Sequence, residues 1–290
     1  MSLERGKLLQ KLHIVTDSTA DLPETLVGEY DITVVPLHVI FGSGESFLDG
    51  VEISTTEFYM RLKQSKELPS TSQPTPAEFA AMYQKLAGPG KSIISIHISS
   101  GMSGTVQSAN LASRMVEGAD IEVIDSRVVS MGLGIIVLEA AKCAREGKSK
   151  QEVIGVIRKT IEKMEIFFVV ETLEYLARGG RIGKAQALLG TVLNIRPICT
   201  ISEGIIHPYE KVRGKTRSID RLVQLVSERA AQRPVICSFI HSADPAGLEE
   251  LRTKAAAKLN LLHPPIESEL GAVVGTHAGP GVLGIVFLPV

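Results

Sequence analysis

Short runs of Val, Ile and Leu alternate with segments of helical periodicity along the first half of the chain. The apolar runs read LHIVTDS, ITVVPLHVIF, SIISIHIS and IEVIDS. Their length and β-branched content are typical of buried strands. Strands that alternate with helices predict a parallel sheet whose strands are joined by crossover helices.

Three helix starts can be located from capping patterns. Ser54, Thr75 and Ser149 are each followed three residues later by Glu, and Pro76 stands at the first helical position of the second pattern. A hydroxyl and a carboxylate at this spacing satisfy free amides at a helix N-terminus. The apolar stretch from Val128 to Leu138 predicts a buried helix, because a bilayer span needs roughly 20 residues.

From about residue 165 the pattern changes to short strand-like runs. These runs are IRPICTI, IIHPYEKV, VICSFIHS, AVVGTHA and GIVFLPV, with helices expected near 184–193, 218–232 and 245–259. The first two runs are separated by Ser-Glu-Gly, which is a hairpin signal. The pattern predicts a second α/β domain with a mixed sheet.

Composition excludes several classes of partner. With 31 basic and 32 acidic residues among 290, the formal net charge is −1, which gives no overall attraction to nucleic acid. Three well-separated cysteines without CxxC spacing favour neither a disulfide framework nor a zinc site, so we expect a reducing cytoplasm. The N-terminal segment MSLERGKLLQKL lacks the apolar core of a signal peptide.

The sequence matches two kinds of phosphate-binding motif only in part. The Gly-Lys-Ser/Thr triplets at 90–92, 147–149 and 214–216 lack the earlier glycine of a Walker loop. The G-x-G-x-x-G pattern at 279–284 precedes a final strand rather than a helix, so it predicts a turn. Neither motif predicts a nucleotide site.

The segment Gly-Met-Ser-Gly-Thr at 101–105 leaves two interpretations open. It nearly matches the G-x-S-x-G nucleophile elbow, and Ser103 with His277 and Asp125 could form a triad, but Thr105 replaces the last glycine. Alternatively, Ser103 caps a helix that begins near Gly104. Free amides and neighbouring hydroxyls at such a helix start favour a carboxylate or phosphate.

Four other segments contain side chains that could bind a ligand or a partner. A hydroxyl-rich segment, Ser-Thr-Ser-Gln-Pro at 70–74, precedes a capped helix, and the glycine-rich segment 275–281 places His277 between two expected strands. The segments 178–184 and 211–217 are basic in an otherwise balanced chain. They are either solvated loops or a docking site for an acidic surface or a phosphate.

Six of these segments, in order, resemble the DegV family of bacterial fatty-acid-binding proteins. They are IVTDSTADLP, TSQPTPAEF, SSGMSGT, IDSRVVSMG, LEYLARGGRI and THAGPGVLG. The likeness runs from about residue 12 to the end and departs from the family at Met102, where Leu is common. It implies a Rossmann-like, three-layer α/β/α domain with a parallel sheet over residues 1–164. A mixed-sheet α/β domain over 165–290 would follow, with the ligand between the two.

The resemblance also implies the roles of particular residues. The carboxylate of a fatty acid would be held by Thr71, Ser103 and His277. The full set of ligand-binding residues would be Thr71, Ser72, Ser103, Gly104, Thr105 and His277. Arg181 and Arg213 would be the pair that docks a kinase, while the protein itself would have no catalytic residue, metal or cofactor.

The leading hypothesis is a cytoplasmic, non-catalytic subunit that binds a long-chain fatty acid. A separate ATP-dependent fatty-acid kinase would convert the presented carboxylate to an acyl phosphate for phospholipid synthesis. Burial of each methylene contributes about 0.8 kcal/mol, so the tail would dominate the affinity. Two alternatives stay open: a subunit like that of dihydroxyacetone kinases, with covalent capture on His277, and a serine-dependent acyl hydrolase.

Overall fold

The computed structural model describes residues 11–42, 44–65, 67–189 and 195–290 as strands, helices and their connections. The strands are β1 (Lys11–Asp17), β2 (Thr33–Val35), β3 (His38–Ile40), β4 (Ser46–Leu48), β5 (Ser70–Ser72), β6 (Lys91–His97), β7 (Asp120–Asp125), β8 (Glu165–Val169), β9 (Ile195–Ser202), β10 (Ile205–Arg213), β11 (Val235–His241), β12 (Ile266–Glu269) and β13 (Leu283–Pro289). The helices are α1 (Glu24–Glu29), α2 (Thr55–Gln64), α3 (Pro76–Leu86), α4 (Thr105–Met115), α5 (Met131–Arg145), α6 (Lys150–Lys163), α7 (Glu174–Arg178), α8 (Lys215–Ala230), α9 (Pro245–Ala256) and α10 (Ala272–Ala278).

The first sheet is parallel, with strand order β2-β1-β6-β7. Helices α3 and α4 cover one face through a cluster that includes Phe79, Tyr83 and Ala109. Helix α5 packs on the other face. The Rossmann-like, three-layer arrangement expected for this half of the chain is therefore confirmed.

The run ITVVPLHVIF, expected as one strand, forms two strands that belong to different sheets. Strand β2 ends at Val35, and β3 begins at His38 after Pro36. Proline has no N–H to donate to a sheet, which explains the break. Strand β3 pairs antiparallel with β4 and β5, so a small three-stranded sheet that the sequence did not predict carries the hydroxyl-rich segment.

The mixed sheet has strand order β10-β9-β8-β13-β11-β12. Only β11 and β12 are parallel among its paired strands in the described residues, and the other pairs are antiparallel. The predicted hairpin between β9 and β10 is confirmed. Its turn residues Glu203 and Gly204 have φ angles of 52° and 80°, a backbone that suits the twist of a two-residue hairpin.

The prediction that AVVGTHA is a strand was wrong, since this segment forms helix α10. Its first amides, those of Gly271 and Ala272, donate to the carboxylates of Asp21 and Asp49 at 2.9 and 3.0 Å. These partners are distant in sequence, and a short apolar run alone does not distinguish a strand from a buried helix. A tertiary cap therefore decides the conformation.

Two further helix predictions hold with shifted ends, and a third segment forms a shorter 3-10 helix instead. The helices expected at 218–232 and 245–259 are α8 and α9, which end two and three residues earlier than expected. The helix expected at 184–193 is a 3-10 segment at 183–188, and positions 190–193 lie outside the described residues.

Helix α5 occupies the space between the two sheets. The helix expected from Val128 begins at Met131, and most of its side chains are buried. A methyl group on Gly132 would lie 2.6 Å from Ile166 of β8, so glycine allows the mixed sheet to approach. Within the described ranges, no helix combines the length and hydropathy needed to cross a bilayer.

One hydrophobic cluster joins the two halves of the chain. It contains Ile96 of the parallel sheet, several residues of α5, and Phe168 and Val286 of the mixed sheet. The expected domain boundary, between residues 164 and 165, falls between α6 and β8. That division stays a prediction, because the core continues across it.

Candidate ligand-binding site

A cavity lies between the parallel-sheet half and the mixed sheet. The apolar residues around it are Leu37, Ile98, Met102, Val129, Ile166, Phe168, Leu176, Ile201, Ile206, Ile240, Leu270, Val273, Val274, Ala278 and Val282. Residues from both halves of the chain, including helix α10 of the second half, therefore form one largely apolar wall.

Thr71 and His277 meet at a polar part of this wall. Thr71 lies in the middle of β5, and His277 lies in the last turn of α10. The hydroxyl Oγ1 of Thr71 and Nε2 of His277 are 2.7 Å apart, which is hydrogen-bonding distance. The three-stranded sheet and α10 thus bring together two residues that are 206 positions apart.

The His277 imidazole is neutral at physiological pH. Burial, and then the nearby positive charge of Arg181, lower its pKa to about 4. Its Nδ1 atom is buried without a hydrogen-bond partner among the described residues. If Nε2–H donates to Thr71, the Thr71 hydroxyl keeps its own proton for an anion in the cavity.

Ser103 lies beside the start of helix α4. The helix cap is Gly104, and the Ser103 hydroxyl accepts a hydrogen bond from the Thr105 amide at 3.3 Å. Ser103 Oγ and Thr105 Oγ1 are 2.8 Å apart. When the amide and the hydroxyl of Thr105 both donate to Ser103 Oγ, the Ser103 proton is available to a ligand. The expectation that Ser103 is the N-cap of this helix was wrong by one residue, since the N-cap is Gly104.

Arg181 brings a positive charge to the cavity. Its Nε atom donates to the Met102 carbonyl at 3.0 Å, and Nη1 donates to the Gly179 carbonyl at 2.7 Å. No carboxylate of the described residues forms an ion pair with it. The side chain is exposed and also lines the cavity, so its charge lies at the mouth.

Arg213 lies elsewhere. It is the last residue of β10 and is exposed, seven positions beyond the cavity-lining Ile206. At about 3.3 Å per residue, this corresponds to roughly 23 Å along the strand. The structure does not bring Arg213 to the cavity, and its docking role stays a prediction.

Three further residues from the sequence-predicted site do not line the cavity. Ser72 pairs with His38 of β3, and its side chain alternates to the opposite face from Thr71. Thr105 is buried behind Ser103. A methyl group on Gly104 would lie 3.0 Å from Nε2 of Gln73, so this glycine makes room for Gln73.

Gln73 and Ser130 line the cavity without having been selected as site residues. Gln73 belongs to the hydroxyl-rich segment, so its position could have been inferred with Thr71. Ser130 follows a strand and precedes a helix, and nothing in its neighbours separates it from an ordinary helix cap.

The geometry does not form the triad considered for a hydrolase. Ser103 contacts Thr105, His277 contacts Thr71, and Asp125 accepts a hydrogen bond from Ser100 at 2.5 Å. Within the described ranges, no group of three His, Cys, Asp or Glu residues is placed to hold a metal ion.

The glycine that suggested an elbow has a packing reason. A methyl group on Gly101 would lie 2.8 Å from the Gly204 carbonyl, and Ser99 donates to the same oxygen at 2.7 Å. Gly101 thus allows the β9–β10 turn to dock on the loop that carries Ser103. This docking joins the mixed sheet to the polar part of the cavity.

Fold and site together define an α/β protein with a parallel and a mixed sheet and a mostly apolar cavity between them, whose wall also carries hydroxyl, amide, imidazole and guanidinium groups. The family model that matches residues 11–290 has the description "Uncharacterised protein, DegV family". The chain belongs to the DegV family.

Similar proteins cover almost the whole chain. A DegV domain-containing protein of Caldanaerobacter subterraneus subsp. tengcongensis is 38% identical over 282 residues, which are 96% of this chain and 99% of that protein. A DegV family protein from Thermus thermophilus, described by its fatty acid binding, has a TM-score of 0.91 and 35% identity, and the match covers 97% of this chain and 100% of that one. A stearic-acid-binding protein from Eubacterium ventriosum has a TM-score of 0.88 and 26% identity, with 96% and 98% covered.

Proposed function

We propose that this protein binds a long-chain fatty acid in the cavity, with the carboxylate at Thr71, Ser103 and His277. The observation that carries the proposal is that these three residues line one mostly apolar cavity, in which Thr71 contacts His277. Similar proteins described as fatty-acid-binding add independent support.

The hydrocarbon tail supplies most of the binding free energy. At about 0.8 kcal/mol per buried methylene, the tail of palmitic acid contributes on the order of 12 kcal/mol before ordering costs are subtracted. Side chains such as Ile206, Ile240 and Val274 offer the apolar surface that this burial requires. The head group then needs only enough donors to fix the position of the acid.

The head-group residues meet this requirement with neutral donors. The hydroxyls of Thr71 and Ser103 donate to the carboxylate, and the neutral His277 supports Thr71. Arg181 is exposed at the mouth, so the head group is held without a buried cation. An exposed guanidinium avoids the desolvation that a buried cation would cost.

The protein acts as a non-catalytic subunit that presents the carboxylate to a separate ATP-dependent fatty-acid kinase. The kinase forms an acyl phosphate, which enters phospholipid synthesis in the cytoplasm. Arg181 and the more distant Arg213 dock the kinase, and the bound fatty acid is the only ligand. This partnership follows from the family resemblance. It is supported by the position of Arg181, which is exposed at the mouth of the cavity where a partner protein can contact it.

The test begins with the purified protein. It is denatured, extracted with organic solvent and analysed by mass spectrometry, and we expect one equivalent of a long-chain fatty acid. A fatty-acid kinase and ATP are then added to the loaded protein, and acyl phosphate is measured by hydroxylamine trapping. We expect Arg181→Ala to retain the lipid and to lower acyl-phosphate formation.

Two results would contradict the proposal. A lipid-free extract, combined with a covalent adduct on incubation with dihydroxyacetone, would favour ketone capture on His277. Loss of the fatty acid from the Arg181→Ala protein would contradict the docking role and assign that arginine to the head-group site.

A further inference from the structure

Within the described residues, the strands of the mixed sheet contribute only apolar side chains to the cavity wall. These side chains are those of Ile166, Phe168, Ile201, Ile206 and Ile240. The hydroxyl and imidazole groups of the proposed head-group site come instead from β5, from the segment before α4 and from α10. Under the proposed function, the mixed sheet therefore faces the hydrocarbon tail of the ligand.

One position in the middle of this wall has no side chain. Gly284 of β13 pairs with Phe168 of β8 on one side and with Ile240 of β11 on the other. Residues paired in this way share one face of a sheet, and both neighbours belong to the core cluster on the cavity side. The preceding residue, Leu283, packs in the cluster on the opposite face. The row across these three strands thus has a gap at its centre, on the face toward the cavity.

The two neighbours of Gly284 fill this gap. A methyl group on Gly284 would lie 2.8 and 2.9 Å from Cγ1 and Cδ1 of Ile240, and 3.0 Å from Cβ of Phe168. Carbon atoms that are not bonded to each other pack at about 3.5–4.0 Å, so the methyl group has no room. The Cβ atom of Phe168 is fixed to its own backbone, whereas the end of the Ile240 side chain can rotate. The displacement therefore falls on Ile240, which lies over the glycine and lines the cavity.

The backbone conformation does not require glycine at position 284. Gly279 and Gly281, which stand earlier in the same G-x-G-x-x-G pattern, have φ angles of 74° and 79°, where glycine is favoured. Gly284 instead lies within strand β13, and an extended backbone accepts any residue. The space that Ile240 and Phe168 occupy is therefore what excludes a side chain here.

We infer that Gly284 is a specificity-determining residue, which sets, through the position of Ile240, the length of the acyl chain that the cavity accepts. This inference rests on the proposed function and deepens it, because it makes the preference for long-chain acids depend on one position. Without a side chain at 284, Ile240 lies back against the sheet and leaves space for the tail. A side chain there turns Ile240 toward the cavity, so acids long enough to reach Ile240 lose contacts and shorter acids do not.

The test measures the affinities of even-numbered saturated acids, from octanoic to stearic acid, by titration calorimetry with delipidated protein. The proteins are the wild type, Gly284→Ala, Ile240→Ala and the double variant that carries both changes. The matched control is Gly247→Ala, whose new methyl group would lie 2.8 Å from Cδ1 of Leu283, on the face of the sheet away from the cavity. Urea unfolding of every protein reports the stability that each change costs.

We expect Gly284→Ala to lower the affinity for stearic acid about tenfold, which is the effect of one or two methylenes left unburied, and to change that for octanoic acid less than about twofold. The same change should have no effect in the Ile240→Ala background, because the crowded atoms of Ile240 are then absent. Gly247→Ala should bind every acid as the wild type does, although it is also destabilised.

Three results overturn the inference: normal stearic-acid binding by Gly284→Ala, an equal loss for octanoic and stearic acid, or a loss that persists in the Ile240→Ala background. If Gly284→Ala alone does not fold, the comparison of the double variant with Ile240→Ala decides. Equal affinities of these two proteins for stearic acid support the inference, and a lower affinity of the double variant overturns it. A wild-type protein that binds none of the acids overturns the proposed function instead.

Discussion

At the residue scale, the candidate site relies on hydroxyls that are held by other groups. Thr71 is oriented by His277, and Ser103 by Thr105. Each pair fixes the direction of a proton before a ligand arrives, so less freedom is lost on binding. The candidate site therefore offers oriented hydroxyl donors to a ligand, although none of the described residues buries a cation beside them.

The hydroxyl of Thr71 can be removed with little change in shape. We expect Thr71→Val to weaken stearate binding about fivefold to tenfold, because one hydrogen bond of about 1–1.5 kcal/mol is lost. Ser70→Ala, on the opposite face of the same strand, is the control, and titration calorimetry measures both. Equal effects of the two variants would contradict the assignment of Thr71.

The low pKa of His277 predicts the pH dependence of binding. With a pKa of about 4, the imidazole stays neutral from pH 6 to 8, so protonation adds no attraction to the carboxylate. We expect the ratio of stearate affinities of the wild type and His277→Gln to remain constant across this range. A ratio that rises as the pH falls toward 6 would show that a protonated imidazole binds the acid.

Thr71, Ser103 and His277 could be selected from the sequence because each belongs to a distinctive local segment and to the family resemblance. Their position in the wall of one cavity could not be predicted, because it depends on a three-stranded sheet that the hydrophobic pattern of the sequence did not indicate. Ser130 could not be found for a different reason. Its sequence context is that of a helix cap, and only the structure shows that its hydroxyl does not cap.

At the element scale, helix α10 links the buried acids to the head-group site. Its first amides are held by Asp21 and Asp49, and its last turn carries His277. Val273 and Ala278 of the same helix line the cavity. The position of one short helix thus sets both the polar and the apolar parts of the wall.

Asp49 makes the stability of this arrangement depend on pH. Burial raises its pKa from 3.8 to about 6, so between these values the folded protein retains a proton that the unfolded chain has lost. The stabilisation is complete below about pH 4 and is lost as the pH rises through 6. Asp49→Asn keeps an oxygen for the Ala272 amide and has no proton to lose.

We therefore expect the stability of Asp49→Asn, relative to wild type, to increase by up to about 3 kcal/mol between pH 4 and pH 7. Urea unfolding at a series of pH values measures this difference, with the exposed Asp31→Asn as the control. A difference that does not change with pH would mean that Asp49 titrates normally.

Close packing between α7 and α10 gives a second test at this scale. A methyl group on Gly179 would lie 2.2 Å from Nδ1 of His277, although the Gly179 backbone itself accepts alanine. We expect Gly179→Ala to displace the imidazole and to lower stearate affinity at least tenfold in calorimetry. Gly155→Ala in α6 has open space and should bind normally; similar losses in both proteins would point to general destabilisation.

Some elements were readable from local sequence and others were not. The capping residues Thr75 and Ser149 correctly located the starts of α3 and α6, because their partners are three residues away. The segment 272–278 was misread as a strand, because the groups that cap this helix are more than 200 residues away in sequence. Local chemistry is visible in a sequence pattern, while a tertiary cap is not.

At the scale of the whole molecule, the parallel sheet and the mixed sheet share a core. Helix α5 packs between them, and the cavity continues the same apolar interior toward the polar residues near Arg181. Alternation of strands and helices predicted the parallel sheet, and short strand-like runs with a hairpin signal predicted the mixed sheet. Neither pattern could predict that the core crosses the expected boundary, since periodicity does not show which faces meet.

The central claim is that an acid head group lies at Thr71 and Ser103 while its hydrocarbon fills the cavity between the sheets. A crystal structure of the protein with stearic acid tests this most directly. We expect a carboxylate oxygen within hydrogen-bonding distance of Thr71 Oγ1 and Ser103 Oγ, and a tail in contact with Ile206 and Val274. Density for the carboxylate at Ser130 instead, or a cavity without the lipid, would contradict the account.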